Sequence, residues 1–261
     1  MIDGNTDFVQ VANKDGVMHI LLNRPERKNA LTLAMYQKLA NSIASAREDR
    51  TVRVILISGA EGCFTSGNDL QDFVTHKGDL GDENPTPKFM RELMFCDKPV
   101  VAAVQGPAVG IGTTMLLHCD LVYAAESAFL QMPFSKLGVC PEFASSYVLP
   151  RLMGHQRAAE LLLFGDPISP AKALNYGIVN EVFADEELMG QVFKKCQQLT
   201  QLPASSLRAT KQLMKRDVRE QAPVIMDVER EYFGRGLKSP EFAEAAAAFK
   251  EKRQPDFSKF D

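Results

Sequence analysis

The segment PVVAAVQGPAVGIGTTMLLHCDLVYAAESAFLQMPFSKLGVCPEFASSY, residues 99–147, organises the rest of this chain. It opens with an apolar, β-branched run at 100–104, which predicts a buried strand that ends in a turn at Gly106. A helix is expected to begin after Gly110, so backbone N–H groups without helical partners gather near Ile111. Close approach at the glycines and the positive end of the helix dipole predict a site for a negatively charged oxygen. Taken alone, the same pattern also fits a strand-turn-helix joint whose glycines serve packing only.

Composition indicates a soluble globular protein of one large or two modest domains. The 261 residues are 45% hydrophobic and 24% charged, with a net charge of -3, so no overall basic field is available for nucleic acid or an anionic membrane. Five cysteines without a CxxC pair and four histidines without metal-ligand spacing predict reduced thiols and no metal site. No targeting signal or membrane span is evident, so we expect a cytoplasmic protein.

Strands and helices alternate along the first two hundred residues, and helices alone follow. A hairpin is predicted over 8–22, and a helix capped by Thr32 over 33–48. The polar segment 74–87 is expected to form a loop or lid. The remaining predicted elements are strands at 54–58 and 179–183, and helices at 157–164, 170–176, 186–199, 204–216, 224–237 and 240–252. We therefore predict a core at 1–200 that carries the functional site, and a helical oligomerisation region at 201–261.

Four motifs in order resemble the enoyl-CoA hydratase/isomerase (crotonase) superfamily over nearly the whole chain. They are NRPERKNAL, CFTSGNDL, VQGPAVGIG with HCDLVYAA, and PFSKLGVCPEFASSYVLPRLMG. The resemblance implies an α/β fold, a ClpP-like spiral of strand-strand-helix turns with a C-terminal helical trimerisation region, as a homotrimer or a dimer of trimers. It also implies an acyl-CoA thioester substrate, an enolate intermediate, and no cofactor apart from the coenzyme A of the substrate.

The resemblance implies that the backbone N–H groups of Asn68 and Ile111 hold the thioester oxygen. Removal of a proton next to a thioester carbonyl places negative charge on that oxygen, and fixed donors stabilise the charge mostly in the transition state. Without its partner site, Asn68 also fits a turn residue that tolerates a left-handed backbone.

The two glutamates of superfamily hydratases are missing here, because the matching positions are Thr114 and Phe134. Glu142 remains, in a PFSxLGxxPExxSS pattern similar to peroxisomal-type Δ3,Δ2-enoyl-CoA isomerases. The resemblance therefore implies isomerisation of a 3-enoyl-CoA to a 2-trans-enoyl-CoA in fatty-acid oxidation, with Glu142 moving a proton from C2 to C4.

Other interpretations of these residues stay open from the sequence. Glu142 also fits the first turn of a helix begun by Pro141, and such a helix end would lower its pKa. To act as a base, Glu142 then needs apolar neighbours that raise its pKa, and the candidates are Phe134, Leu137 and Phe143. Cys140 is interpreted as a packing residue because no histidine neighbours it in the sequence.

Three alternative functions remain at this stage. The first is hydration with an unrecognised acid, and the second is dienoyl-CoA isomerisation with Asp69 or Asp72 as a second carboxylate. The third is a catalytically silent protein that binds acyl-CoA or RNA.

The resemblance also implies a coenzyme A site. Lys28 and Lys252 suit phosphate groups, although isolated lysines are more often solvated surface charges. Phe249 and Lys252 would contribute from the C-terminal helix of the same or a neighbouring subunit. The implied substrate-binding residues are Arg27, Lys28, Ala30, Ser66, Asp69, Leu70, Gly110, Phe134, Phe249 and Lys252.

Overall fold

A six-stranded sheet lies at the centre of the computed structural model, which describes residues 8–69 and 84–260. Its strand order is β1-β2-β3-β4-β6-β8, and every neighbouring pair is parallel except the antiparallel hairpin β1-β2. Strands β5 and β7 form a separate parallel pair. The strands are β1 Val9–Lys14, β2 Val17–Leu22, β3 Val54–Gly59, β4 Val100–Val104, β5 Pro107–Val109, β6 Leu121–Ala125, β7 Phe129–Gln131 and β8 Glu181–Phe183.

Helices cover the sheet and make up the C-terminal part of the chain. Short 3-10 helices occur at Pro25–Arg27, Met115–His118 and Ser135–Leu137. In the described residues no helix combines the length and apolar character that crossing a membrane requires. The α-helices are α1 Leu33–Glu48, α2 Pro85–Phe95, α3 Ile111–Thr114, α4 Ser145–Met153, α5 His155–Phe164, α6 Pro170–Asn175, α7 Asp185–Thr200, α8 Ala204–Met214, α9 Arg216–Gly236 and α10 Pro240–Glu251.

The central strands β3 and β4 are buried on both faces, which explains their continuous apolar sequences. Ile55 and Val100 belong to the core that also contains the buried residues of α1 and α2, whereas Leu56 and Val101 pack in the core that includes α7. Side chains alternate between faces along each strand, so each strand contributes to both layers. The predicted mixed α/β architecture is confirmed.

Several predicted boundaries were wrong. Residues 85–87 lie in helix α2 rather than in a loop, because Asn84 accepts the Thr86 N–H at 2.9 Å and caps a helix that starts with proline. Helix α9 starts at Arg216 rather than at residue 224, since Pro223 is accommodated inside it. Strands β5, β6 and β7 were not predicted. The rest of the predicted 74–87 loop lies outside the described residues.

Candidate active site

Two glycine-bearing loops run side by side at the carboxyl ends of β3 and β4. Thr65 N–H donates to Pro107 O at 2.9 Å, and Val109 N–H donates back to Thr65 O at 3.0 Å. The approach is so close that a Cβ on Gly67 would lie 2.9 Å from Val109 O, and Gly67 also has a positive φ of 96°. Glycine is therefore required here both for space and for backbone conformation.

The backbone N–H groups of Asn68 and Ile111 lie on these adjacent loops. Neither has a hydrogen-bond acceptor within residues 8–69 and 84–260. Ile111 follows Gly110, whose φ of 56° turns the chain, and it is the first residue of α3, where N–H groups lack intrahelical partners. The Tyr36 hydroxyl donates to Asn68 Oδ1 and fixes the side chain of Asn68. Both N–H groups are therefore candidate donors to an oxyanion, which is the role that the resemblance implies for them.

A cavity of about 170 Å³ opens beside Asn68, between α1, α2 and α9. Most of its wall is apolar, as expected for a site that accepts an acyl chain or another apolar group. The apolar lining includes Leu31, Leu33, Tyr36, Met90, Met94, Phe143, Met226 and Phe233.

Glu142 lies in the cavity wall and presents one unsatisfied carboxyl oxygen. The Thr114 hydroxyl donates to Glu142 Oε1 at 2.5 Å, whereas Oε2 is shielded from solvent and has no partner among the described residues. Burial raises the pKa of Glu142 to about 8; the Thr114 hydrogen bond opposes this shift, and the charge of Glu229 adds to it. The residue as a whole is partly exposed, but its Oε2 is not.

The first-turn interpretation of Glu142 was wrong, because α4 begins at Ser145 and Glu142 lies in the preceding loop. Of the three residues predicted to form an apolar wall around Glu142, Phe143 alone lines the cavity. Phe134 is buried, with 5% of its surface exposed, but neither it nor Leu137 is among the lining residues. Phe134 as a substrate-binding residue stays a prediction without a cavity contact.

Asp69 also lines the cavity, but its carboxylate is paired. Arg24 donates to Asp69 Oδ2 at 2.6 Å and to Ala30 O at 3.1 Å, and both charged side chains are nearly buried. The ion pair joins the loop that contains Ala30 to the loop that contains Asn68. A buried, paired carboxylate is poorly placed to act as a base. Asp72 and Leu70 lie outside the described residues.

The predicted coenzyme A residues fall into two groups. Arg27 and Lys28 are exposed beside Ser66, whose N–H donates to Lys28 O at 2.9 Å, so this group lies close to the Asn68 loop. Phe249 and Lys252 are exposed at the end of α10. In the described chain, no hydrogen bond or ion pair joins either of them to the other predicted site residues.

Sequence reasoning missed Tyr36, Arg24 and Glu229 as contributors to this site. Glu229 lies in the middle of α9, within a run of charged residues that carries no motif. Arg24 could have been found from the complementary charge of Asp69, but only once the two loops were known to be neighbours. Thr114 was identified by position, but its hydrogen bond to Glu142 was not foreseen.

Cys140 and the possible metal ligands are considered in turn. Burial raises the pKa of the Cys140 thiol to about 11, so it is protonated at neutral pH. No group of three or more His, Cys, Asp or Glu side chains among the described residues could hold a metal ion.

Comparison with known proteins identifies the family. Residues 12–259 match the family described as enoyl-CoA hydratase/isomerase. The chain is 37% identical to rat enoyl-CoA delta isomerase 2 over 85% of its own length, but the match spans only 58% of that relative. It is 35% identical to 1,2-epoxyphenylacetyl-CoA isomerase of Escherichia coli K12, covering 97% of this chain and 98% of that protein. A third relative, 2,3-dehydroadipyl-CoA hydratase of the same strain, is 28% identical, with 95% and 97% covered.

Solved structures agree on the fold. A crystal structure of an enoyl-CoA hydratase/isomerase from Pseudoalteromonas atlantica T6c superimposes with a TM-score of 0.91 at 37% identity, covering 96% of this chain and 99% of that chain. The predicted crotonase fold is thereby confirmed. With the family match over nearly the whole length, this chain is a member of the enoyl-CoA hydratase/isomerase family.

Proposed function

We propose that this protein isomerises a 3-enoyl-CoA to the 2-trans-enoyl-CoA, with Glu142 as the base. The observation that carries the proposal is the unpaired, solvent-shielded Oε2 of Glu142 in the wall of an apolar cavity. A carboxyl group with a pKa of about 8 can both take up and return a proton near neutral pH. The resemblance to proteins named as enoyl-CoA delta isomerases supports the same reaction.

The proposed reaction needs no group beyond those described. Glu142 Oε2 takes a proton from C2, and the electron pair of the broken C–H bond spreads into the thioester carbonyl and the C3–C4 double bond. The N–H groups of Asn68 and Ile111 then donate to the dienolate oxygen. The same carboxyl returns the proton at C4, so the double bond moves to C2–C3 and the carboxylate is regenerated.

Hydration is less well supported by the contacts of the site. The positions of the two hydratase glutamates hold Thr114 and Phe134, and the hydroxyl of Thr114 is engaged with Glu142. A second carboxylate, Glu229, lines the cavity, but both of its oxygens accept hydrogen bonds from Ala144 and Ser146. Dienoyl-CoA isomerisation through Asp69 is disfavoured by the ion pair with Arg24.

The proposal has consequences for substrate and assembly. We infer that coenzyme A enters as part of the substrate rather than as a separate cofactor, and that Arg27, Lys28 and Ser66 contact it. A homotrimer or dimer of trimers, a cytoplasmic location and a role in fatty-acid oxidation stay predictions from the sequence.

The direct test offers purified protein 3-enoyl-CoA and 2-enoyl-CoA separately and follows the absorbance of the conjugated thioester. The proposal predicts that this absorbance forms from 3-enoyl-CoA and that it is not lost from 2-enoyl-CoA through hydration. Loss from 2-enoyl-CoA alone would select hydration, and no change with either would indicate a silent protein. The variant Cys140→Ser serves as a control and should retain the parental rate, because its thiol is protonated and takes no part.

A further inference from the structure

The segment 142–146, which carries the proposed base, has a backbone that needs support. Phe143 and Ala144 both adopt left-handed conformations, with φ values of 57° and 54°, although neither is glycine. Such conformations cost free energy and persist only where surrounding contacts impose them. The contacts that hold these two residues therefore also determine where the neighbouring Glu142 carboxyl lies.

One support comes from His118 at the end of the 3-10 helix Met115–His118. Its Nε2–H donates to Phe143 O at 2.7 Å, and its ring stacks on the Phe143 ring with centroids 3.9 Å apart. Burial lowers the pKa of His118 to about 3, so the imidazole is neutral and acts here as a fixed donor. This contact holds the carbonyl side of the segment.

The other support comes from helix α9, in the C-terminal helical part of the chain. The Glu229 carboxylate accepts the N–H of Ala144 at 2.7 Å, and the N–H of Ser146 at 3.1 Å together with the Ser146 hydroxyl. These N–H groups stand at the start of α4, where Ala144 occupies the N-cap position and has no side chain that could cap the helix. A buried carboxylate from another helix thus supplies the missing cap.

We propose that Glu229 is a positioning residue for catalysis: by capping α4 from α9, it holds the left-handed Phe143–Ala144 backbone and so aims the Glu142 carboxyl into the cavity. The inference rests on the proposed function. It assigns part of the catalytic apparatus to a helix that the sequence associates only with oligomerisation. Glu229 itself takes no proton from the substrate, because three donors occupy its oxygens.

The charge of Glu229 gives the proposal a readout beyond folding. Glu229 raises the pKa of Glu142 by like-charge repulsion, so its neutralisation should lower that pKa. The other charged groups near the cavity are the Asp69–Arg24 pair, the Asp227–Arg230 pair and Arg91 of α2. Tyr36 and Cys140 are neutral at working pH. Glu229 also raises the pKa of Cys140, so its neutralisation should lower that pKa as well.

The test compares Glu229→Gln and Glu229→Ala with the parent, and uses Glu231→Gln as the matched control. Glu231 lies on the same helix, is exposed and, among the described residues, pairs with Arg235, so its variant should behave as the parent. The amide oxygen of Gln can still accept an N–H, whereas Ala cannot. We expect Glu229→Ala to lower kcat about 10- to 100-fold with little change in KM, because the base is misplaced.

The Gln variant keeps one acceptor oxygen where Glu229 uses two, so it should recover part of that loss. Its rate-pH profile should move to lower pH, so that it shows a larger share of its plateau rate at pH 6.5 than the parent does. A parental kcat and pH profile in both Glu229 variants would overturn the proposal.

Hydrogen exchange provides a readout that is independent of the reaction. The amides of Ala144 and Ser146 should exchange faster in Glu229→Ala than in Glu229→Gln, whether or not the parent isomerises 3-enoyl-CoA. An inactive parent with this exchange pattern would refute the proposed function but would still support the capping of α4 by Glu229. Unchanged exchange in the Ala variant would refute the cap itself. If the Ala variant fails to fold, the pH profile of the Gln variant decides.

Discussion

The hydrogen bond from Thr114 to Glu142 leads to a quantitative prediction for Thr114→Val. Valine has nearly the same shape as threonine but lacks the hydroxyl that donates to Glu142 Oε1. A hydrogen bond to a charged group contributes about 1.5–3 kcal/mol, and about 1.36 kcal/mol corresponds to one pKa unit. Because this bond favours the carboxylate, its removal should raise the pKa of Glu142 from about 8 by a further one to two units.

The assay is the rate of isomerisation of 3-enoyl-CoA as a function of pH. A base must be deprotonated to act, so parental kcat/KM should rise with pH through about 8 and then level off. In Thr114→Val the same rise should lie at higher pH. The rate at pH 7 should fall about 10- to 100-fold, because the ionised fraction of Glu142 at that pH falls by the same factor.

The matched control is Thr114→Ser, which keeps the hydroxyl and should leave the profile near its parental position. If the rise for Thr114→Val coincides with that of the parent, Thr114 does not set the protonation of Glu142 and the reasoning fails. A uniform loss at every pH would also contradict it, since that result indicates misplacement rather than a shifted pKa.

Three further predictions concern stability. Gly67→Ala places a Cβ 2.9 Å from Val109 O at a φ of 96°, so urea denaturation should show a loss of about 1–3 kcal/mol; a stability equal to the parent would contradict the close loop packing. Asp69→Asn leaves Arg24 buried with only the longer contact to exposed Glu26 at 3.8 Å among its described charge partners, and the midpoint of denaturation should fall by the equivalent of about 3–5 kcal/mol, whereas an unchanged midpoint would show that the pair is dispensable. The third compares the parent with Glu142→Gln across pH. The pKa of Glu142 is raised from 4.5 to about 8 in the folded state, so between these pH values the folded state binds one proton more than the unfolded state. The parent should therefore lose stability relative to the variant as pH rises from 4.5 to 8, by up to about 5 kcal/mol. A constant difference in stability across that range would refute the raised pKa.

The sequence predicted those parts of the fold that local patterns determine. The short, β-branched apolar runs of β3 and β4 favour buried strands, and Thr32 caps α1 by accepting the Met35 N–H. Helix α2 was missed because its first turn, after Asn84, reads as a proline-rich loop. The short strand β6 was missed because its few residues form a strand through pairing with β4 and β8, which a local pattern does not reveal.

The same distinction between local patterns and tertiary contacts applies to the candidate site. Asn68, Ile111 and Glu142 occur in motifs, so the resemblance pointed to them before any geometry was known. The contacts that set the pKa of Glu142 depend on tertiary packing: Thr114 reaches it across 28 residues of sequence, and Glu229 acts from 87 residues away. Burial of a carboxyl group against α1, α2 and α9 leaves no local signal in the sequence.

The proposed reaction depends most on Glu142 as the sole proton carrier, and Glu142→Gln tests this role directly. Glutamine keeps the size of the side chain and can still accept the Thr114 hydroxyl, but it cannot take up a proton. With variant protein shown to be folded by circular dichroism, the initial rate of conjugated thioester formation from 3-enoyl-CoA should fall about 10²- to 10⁴-fold. A rate equal to that of the parent would show that another group moves the proton.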